Sequence, residues 1–361
     1  MKKNAITFNL FLTAVILLLL SGCQKSLTDN QSDSLLGTAS KRSTLTPLLT
    51  TDIYVAGSDN DTAVYWKNGV ETKLSGVGTG SMATGIVAIG TNVYVCGYGP
   101  SPTTGNLVAE YWLNGVLTSL SDGTQFVMAS GIAVSGSNVY VCGYAPFSTS
   151  AWVWKNGVAT SLPSGEPTGI AVDANGNVYI SNDISSSVSP AGPNYYRNDT
   201  LERLSGGIGA YTLAMATLGT NFYTVGADET ETGDSALLWA NGSPGYLLQS
   251  YTYQQAMAVT AATISGTTFV YTSGIVGNDE NDMHIAYWNN SGDDYLLGAG
   301  EFVAGSTGVA VDESNNAYVC GTQITINPGA WLWTIADGGP PGTPTQLGSA
   351  NAIALAVTVG Q

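Results

Sequence analysis

Cations are scarce in this chain: ten Lys and Arg stand against 26 Asp and Glu among 361 residues, and there is one His. The formal net charge of −16 makes a surface that repels phosphate backbones, so nucleic acid is a poor partner. Charged residues are only 10% of the chain, and this thin supply of Lys, Arg and Glu argues against a helical bundle. A single His, His284, leaves a hydrolytic triad without a partnered base, and no G-x-S-x-G, H-E-x-x-H or phosphate-loop pattern occurs. Cysteine is sparse as well. Cys96, Cys142 and Cys320 recur at one repeat position, an odd number without Cys-x-x-Cys spacing. That pattern suits neither a disulfide framework nor a thiolate zinc site, and the three read as small buried apolar residues.

What is abundant is strand-and-turn material: 45 Gly, 19 Tyr and 8 Trp, with 44% hydrophobic residues to fill a core. Repetition organises it. The clearest unit runs from Gly131 to Leu162, with four short apolar stretches separated by turn residues, as in a four-stranded antiparallel meander. The second stretch recurs around Tyr54, Tyr94, Tyr140, Tyr179, Tyr223, Tyr271 and Tyr318. The third recurs around Trp66, Trp112, Trp154, Tyr196, Trp239, Trp288 and Trp333. Such spacing is that of propeller blades. Asn-Gly follows the third stretch at 68–69, 114–115, 156–157 and 241–242, where a type I′ turn needs two positive φ angles; Asn198-Asp199, Asn289-Asn290 and Asp337-Gly338 are the expected substitutes. The first unit lacks an inner strand, and Ala352 to Val359 supplies that pattern with no blade after it. The fold expected over residues 51–361 is an all-β, seven-bladed β-propeller of four-stranded blades, closed by the C-terminal strand completing the first blade.

Upstream, Met1-Lys2-Lys3 precedes an apolar run from Phe8 to Leu20 and then Leu20-Ser21-Gly22-Cys23. A basic start, a short apolar core and small residues before the cut describe a secretory signal over residues 1–22. The last four residues resemble the lipobox of bacterial lipoproteins. That resemblance implies cleavage before Cys23 and acylation of Cys23, with palmitate-type chains holding the protein to a membrane. No acid follows Cys23 directly, which by the same resemblance implies the outer membrane, facing the periplasm or the surface. Residues 23–50, rich in Ser, Thr, Asn, Asp and Gln, then read as a flexible tether.

The segments Pro167-Thr-Gly-Ile-Ala-Val-Asp-Ala-Asn-Gly-Asn-Val-Tyr-Ile and Ser306-Thr-Gly-Val-Ala-Val-Asp-Glu-Ser-Asn-Asn-Ala-Tyr-Val resemble NHL-type and related bacterial β-propeller repeats. Asp173 and Asp312, just before Asn-Gly-Asn and Ser-Asn-Asn, are expected to hold hairpin turns rather than ligands.

Acidic loops between second and third strands carry Asp59 and Asp61 in blade 1, Asp228, Glu229, Glu231 and Asp234 in blade 5, and Asp279, Glu280 and Asp282 in blade 6. Oxygen-rich loops of this kind can hold calcium, so Asp228, Glu229, Glu231, Asp279, Glu280 and Asp282 are the metal candidates, with solvated loop charge as the plainer account. Aromatics outside the repeat pattern, namely Tyr98, Tyr144, Phe147, Tyr195, Tyr251 and Tyr253, are the ligand candidates among rings. The function expected is a monomeric, non-enzymatic, lipid-anchored binding or scaffold module for protein, peptide or glycan. A carbohydrate-active or lyase-type enzyme and a calcium-stabilised structural propeller are the rivals.

Overall fold

The computed structural model describes residues 51–76, 78–183, 192–206, 209–230, 233–247, 251–279, 282–290, 294–297, 303–324, 328–337 and 339–360. Cys23, the leader and the tether lie outside them. The described residues form seven four-stranded antiparallel sheets and contain no helix. Each sheet's inner strand packs beside the inner strand of the next sheet around a complete circle, which makes a seven-bladed β-propeller.

Closure is as expected. The inner strand of blade 1 is Ile353–Val359, paired antiparallel to Ile53–Asp59 with Val55 opposite Val357. Ser349 strengthens the join by donating its backbone N–H to Asp59 Oδ2 at 3.1 Å and its hydroxyl to Asp59 Oδ1. Asp59, an acid the sequence places on a loop tip, is therefore buried and spent on holding the ring together.

One end of the ring is a repeating clamp. Asn68, Asn114, Asn156 and Asn241 have φ near +50°, and the Gly after each has φ near +80°, as a type I′ turn requires. Each Asn side chain accepts from a backbone N–H at the start of its second strand (Ile53, Val93, Val139 and Phe222, 2.8–2.9 Å). Its amide then donates at 2.8–2.9 Å to Asp52, Asn92, Asn138 or Asn221. Asn198 does the same in blade 4. In blade 6 the clamp is Asn290, whose Oδ1 accepts from Val270 N, so the turn begins one residue later than the Asn289-Asn290 pair suggested. The Asp173 and Asp312 turns are also as expected. Asp173 accepts from Asn175 N, Asn177 N and Asn177 Nδ2 at 2.8–2.9 Å, and Asp312 repeats the set with Ser314 and Asn316.

Further along, every inner strand is bulged once; in five blades the bulge lies opposite the step into the glycine of the second-strand motif, in blade 4 Asn182 takes that place, and in blade 7 the bulge falls one residue past Gly321. The bulge drives a carbonyl of the inner strand across that glycine. A Cβ on Gly97 would lie 2.0 Å from Met82 O, and one on Gly226 or Gly274 would lie 1.9 Å from Tyr211 O or Gln255 O. That crowding is the reason for glycine after Cys96 and Cys142, whereas a Cβ on Gly321 would meet the Ile285 side chain instead. The bulged residue itself ties blade to blade: Thr84 Oγ1 donates to Ala129 O at 2.8 Å, Ser130 Oγ to Pro167 O at 2.5 Å, and Thr168 Oγ1 to Thr212 O at 3.2 Å. The next glycine lets adjacent inner strands touch, since a Cβ on Gly131 would sit 3.2 Å from Gly169 Cα. The Thr/Ser-Gly-Ile/Val pattern is thus a joint between blades.

Between blades lie the third-strand aromatics. Trp66, Trp112, Trp154, Tyr196, Trp239 and Trp288 are at most 2% exposed, and burial of a large apolar side chain is worth about 1.5–3 kcal/mol. Cys96, Cys142 and Cys320 are free and fully buried beside them, each thiol pushed up to about 12 by burial, as the reading of inert apolar residues requires.

Candidate functional site

The end of the ring opposite the Asn clamps does not repeat. Second strands finish there and inner strands begin. The second pair beyond each bulge is Ile353 with Ser58, Met82 with Tyr98, Met128 with Tyr144, Glu166 with Asp183, Tyr211 with Ala227, Gln255 with Ile275, and Val303 with Gln323. Six of these places are equivalent, blade 7 being offset by one residue, and the six carry apolar, phenolic, acidic and amide chemistry in an order no packing rule demands. We call this end the mouth.

Its polar sector spans blades 3 to 6. Glu166 and Asp183 are cross-strand partners, two like charges directly opposite each other, an arrangement that destabilises a sheet. Both have their carboxyl pKa raised. Burial and then the Asp183 charge push Glu166 up to about 7, and burial pushes Asp183 up to about 6. A second acidic cross-strand pair lies one blade on, this time between the second and third strands, where Glu229 faces Asp234 across Asn221–Thr230 and Gly233–Ala240. Glu229 is raised by burial, then by Asp234 and Asp183; Asp234 is raised by burial, opposed by a 3.3 Å bond from Gln255 Nε2. Two phenols stand in the same field. Burial followed by Glu166, and burial followed by Asp234, Glu229 and Asp183, hold Tyr144 and Tyr211 protonated well beyond the usual phenol range. Four carboxyls with raised pKa values, flanked by neutral O–H donors, thus share one sector of the mouth.

No Lys or Arg answers this sector. The ring contains five, and the one ion pair they make among the described residues is Lys67 with Asp52, at the clamp end. Lys67, Lys155 and Arg197 each sit over a ring of their own blade, Tyr54, Tyr140 and Tyr179, 5.2–5.7 Å from its centroid. Those three immediately precede the clamp turns.

The candidates named from sequence divide. Glu229 joins the mouth cluster, and Asp228 lies one residue before it, paired with Ala210 and Ser235. Asp282 is engaged by His284 Nε2 at 3.0 Å and Asn278 Nδ2 at 3.2 Å, and the His284 bond is the first cause of its lowered pKa. Glu231 and Glu280 lie outside the described residues. Among those described, no three His, Cys, Asp or Glu side chains converge as an ion would need, so the described candidates do not by themselves compose a calcium site. Of the aromatics, Tyr98 and Tyr144 sit at the mouth, whereas Tyr195 packs on Tyr179 and Phe222 and bonds Glu202. Phe147, 76% exposed, meets Phe126 edge-on. Tyr251 lies beside His284, and Tyr253 is 39% exposed. Glu166, Asp183, Tyr211 and Gln255 were not foreseen. The available signal was a break in the repeat, Glu166 standing where Met82 and Met128 stand in the two preceding blades.

No family model matches the chain, and no curated protein matches it. Among solved structures, it is similar to TolB from Acinetobacter baumannii at 10% identity, covering 74% of this chain and 66% of that one, with a TM-score of 0.45. A protein from Lactobacillus plantarum is similar at 13% identity over 86% of this chain and 100% of its own, with a TM-score of 0.49. Puromycin hydrolase is similar at 12% identity over 77% of this chain and 47% of its own, with a TM-score of 0.45. This chain therefore spans just under two thirds of TolB and about half of the hydrolase.

Proposed function

We propose that this protein is a non-enzymatic binding module of the cell envelope, held to the outer membrane by acyl chains on Cys23, which takes a cationic segment of a protein or peptide at its mouth. The observation that carries the reading is the set Glu166, Asp183, Glu229 and Asp234, with raised carboxyl pKa values and no Lys or Arg paired to any of them among the described residues. A bound ammonium or guanidinium group would restore their charge, so binding should expel protons and tighten from pH 6 to pH 8. The test is calorimetric titration with a Lys- and Arg-rich peptide at two salt concentrations. The double variant Glu166→Gln, Asp183→Asn should lose at least tenfold in affinity. Binding that ignores both salt and the double variant would sink the reading. Cys23→Ala should release the protein from the membrane fraction.

A second reading draws on the same pair. Two facing carboxyls titrating near 7 and near 6 suit a general acid and a general base acting on a glycosidic or related bond. Turnover of any member of a polysaccharide panel, lost in Glu166→Gln, would favour this reading over the first.

A further inference from the structure

A cavity of about 480 Å³ lies between the outer parts of blades 2 and 3, lined by residues that include Ser121, Asp122, Thr124, Gln125, Trp152 and Trp154. It shares no residue with the mouth, and its volume falls within the range of small-ligand sites, about 300–1,000 Å³.

Two sequence features shape it. The third-strand residue opposite the glycine position is Val64, Glu110, Asn194, Leu237 or Ala286 in five of the other blades; in blade 3 it is Trp152, a choice shared with Trp331 of blade 7. This second indole is half-buried and stacks on Trp154, with centroids 6.2 Å apart and planes at 29°. The link between blades changes too. Where other links read Leu74-Ser75-Gly76 and Leu204-Ser205-Gly206, this one reads Leu120-Ser121-Asp122.

Blade 3 also has a donor without the acceptor its counterparts find. Trp112 Nε1 donates to Ser75 O at 3.0 Å, Trp239 Nε1 to Ser205 O at 2.7 Å, and Tyr196 OH to Ser164 O at 2.5 Å. Trp154 occupies the same place in blade 3, is 2% exposed, and its buried Nε1 has no partner. Trp66 and Trp288 share that lack, and what sets Trp154 apart is the second indole and the polar wall beside it. The wall is ordered. Asp122 Oδ1 accepts from Thr124 N at 2.9 Å and Thr124 Oγ1 at 2.7 Å, and Ser121 Oγ accepts from Ala109 N at 3.1 Å. Gln125 is exposed at the rim with a planar donor–acceptor amide.

We propose that this cavity binds a neutral saccharide ring. A pyranose presents an apolar C–H face to stack on an indole and an equatorial belt of hydroxyls, each both donor and acceptor. Trp152 supplies the platform, Asp122 and Gln125 the fixed polar partners, and the Trp154 N–H the unmet donor. Asp122 and the acidic surface disfavour an anionic sugar.

The test is an array of neutral mono- and oligosaccharides probed with the folded propeller, followed by titration of the retained sugar against tryptophan fluorescence. At least one neutral glycan should be retained, with quenching on titration. Trp152→Ala and the rim variant Gln125→Ala should each weaken it by tenfold or more, while the mouth variant Glu166→Gln leaves it unchanged. Retention of no neutral glycan, or retention indifferent to both Trp152→Ala and Gln125→Ala, overturns the proposal. Gln125, being exposed, serves where Trp152→Ala disturbs folding. Loss of sugar binding on Glu166→Gln would reassign the glycan to the mouth.

Discussion

The two ends of this ring follow opposite rules. At the clamp end, blade after blade spends the same residues on the same bonds: an Asn at the turn, an Asn or Asp opposite it, a Tyr beneath. At the mouth, six equivalent places hold Ile353, Met82, Met128, Glu166, Tyr211 and Gln255. Sameness at one end is what builds a closed ring from copies. Difference at the other is not needed to close the ring, and it tolerates costs, such as facing carboxyls, that no repeat unit would keep for its own stability.

The contrast can be broken or sharpened by experiment. The largest effect is expected from removing residues 349–361, which takes away the inner strand of blade 1 and the Ser349 bonds to Asp59. Calorimetry should then lose its single cooperative transition, whereas an intact one would show that the ring does not depend on closure. Next, the same substitution should cost differently at the two ends. Gly226→Ala drives a Cβ to within 1.9 Å of Tyr211 O and should cost about 3 kcal/mol or more. Gly115→Ala, at φ +79° with nothing within 4 Å, should cost about 1–2 kcal/mol. Denaturant melts of the pair decide whether the crowding is real. Asn114→Ala, which loses the clamp bonds and the tolerance for φ +52°, belongs in the same range, about 1–2 kcal/mol.

The smallest effect is a pH slope. Folded Glu166 and Asp183 hold protons more tightly than the unfolded chain does, so their contribution to stability is complete below about pH 4. It is lost as pH rises through about 6 and about 7. The Tm should fall between pH 5 and pH 8, and the double variant Glu166→Gln, Asp183→Asn should flatten that fall. It should also raise the Tm at pH 8, by on the order of 1–3 °C. An unchanged slope would mean that the mouth carboxyls ionise freely.

The fold was legible because its grammar is local. Turn residues with positive φ, Trp spacing and an orphan C-terminal strand each state a backbone requirement within a few positions. Even the glycine after Cys96 and Cys142 was visible, although its reason, a carbonyl bulging across it, was not. The site was less legible for the opposite reason. Glu229 and Asp234 could be seen as a loop cluster, but Glu166 and Asp183 lie 17 positions apart within strands and become neighbours only through register. Asp59 was misleading in the same way: an acid at an apparent loop tip, 290 positions from the serine it binds.

Residue 52 sits at the clamp end, where its carbonyl accepts from Gly360 N at 2.8 Å. Both limits of the ring's chain are thus laced together on the side away from the mouth. A tag or protein fused next to residue 52 or residue 360 would start from that side, away from the mouth.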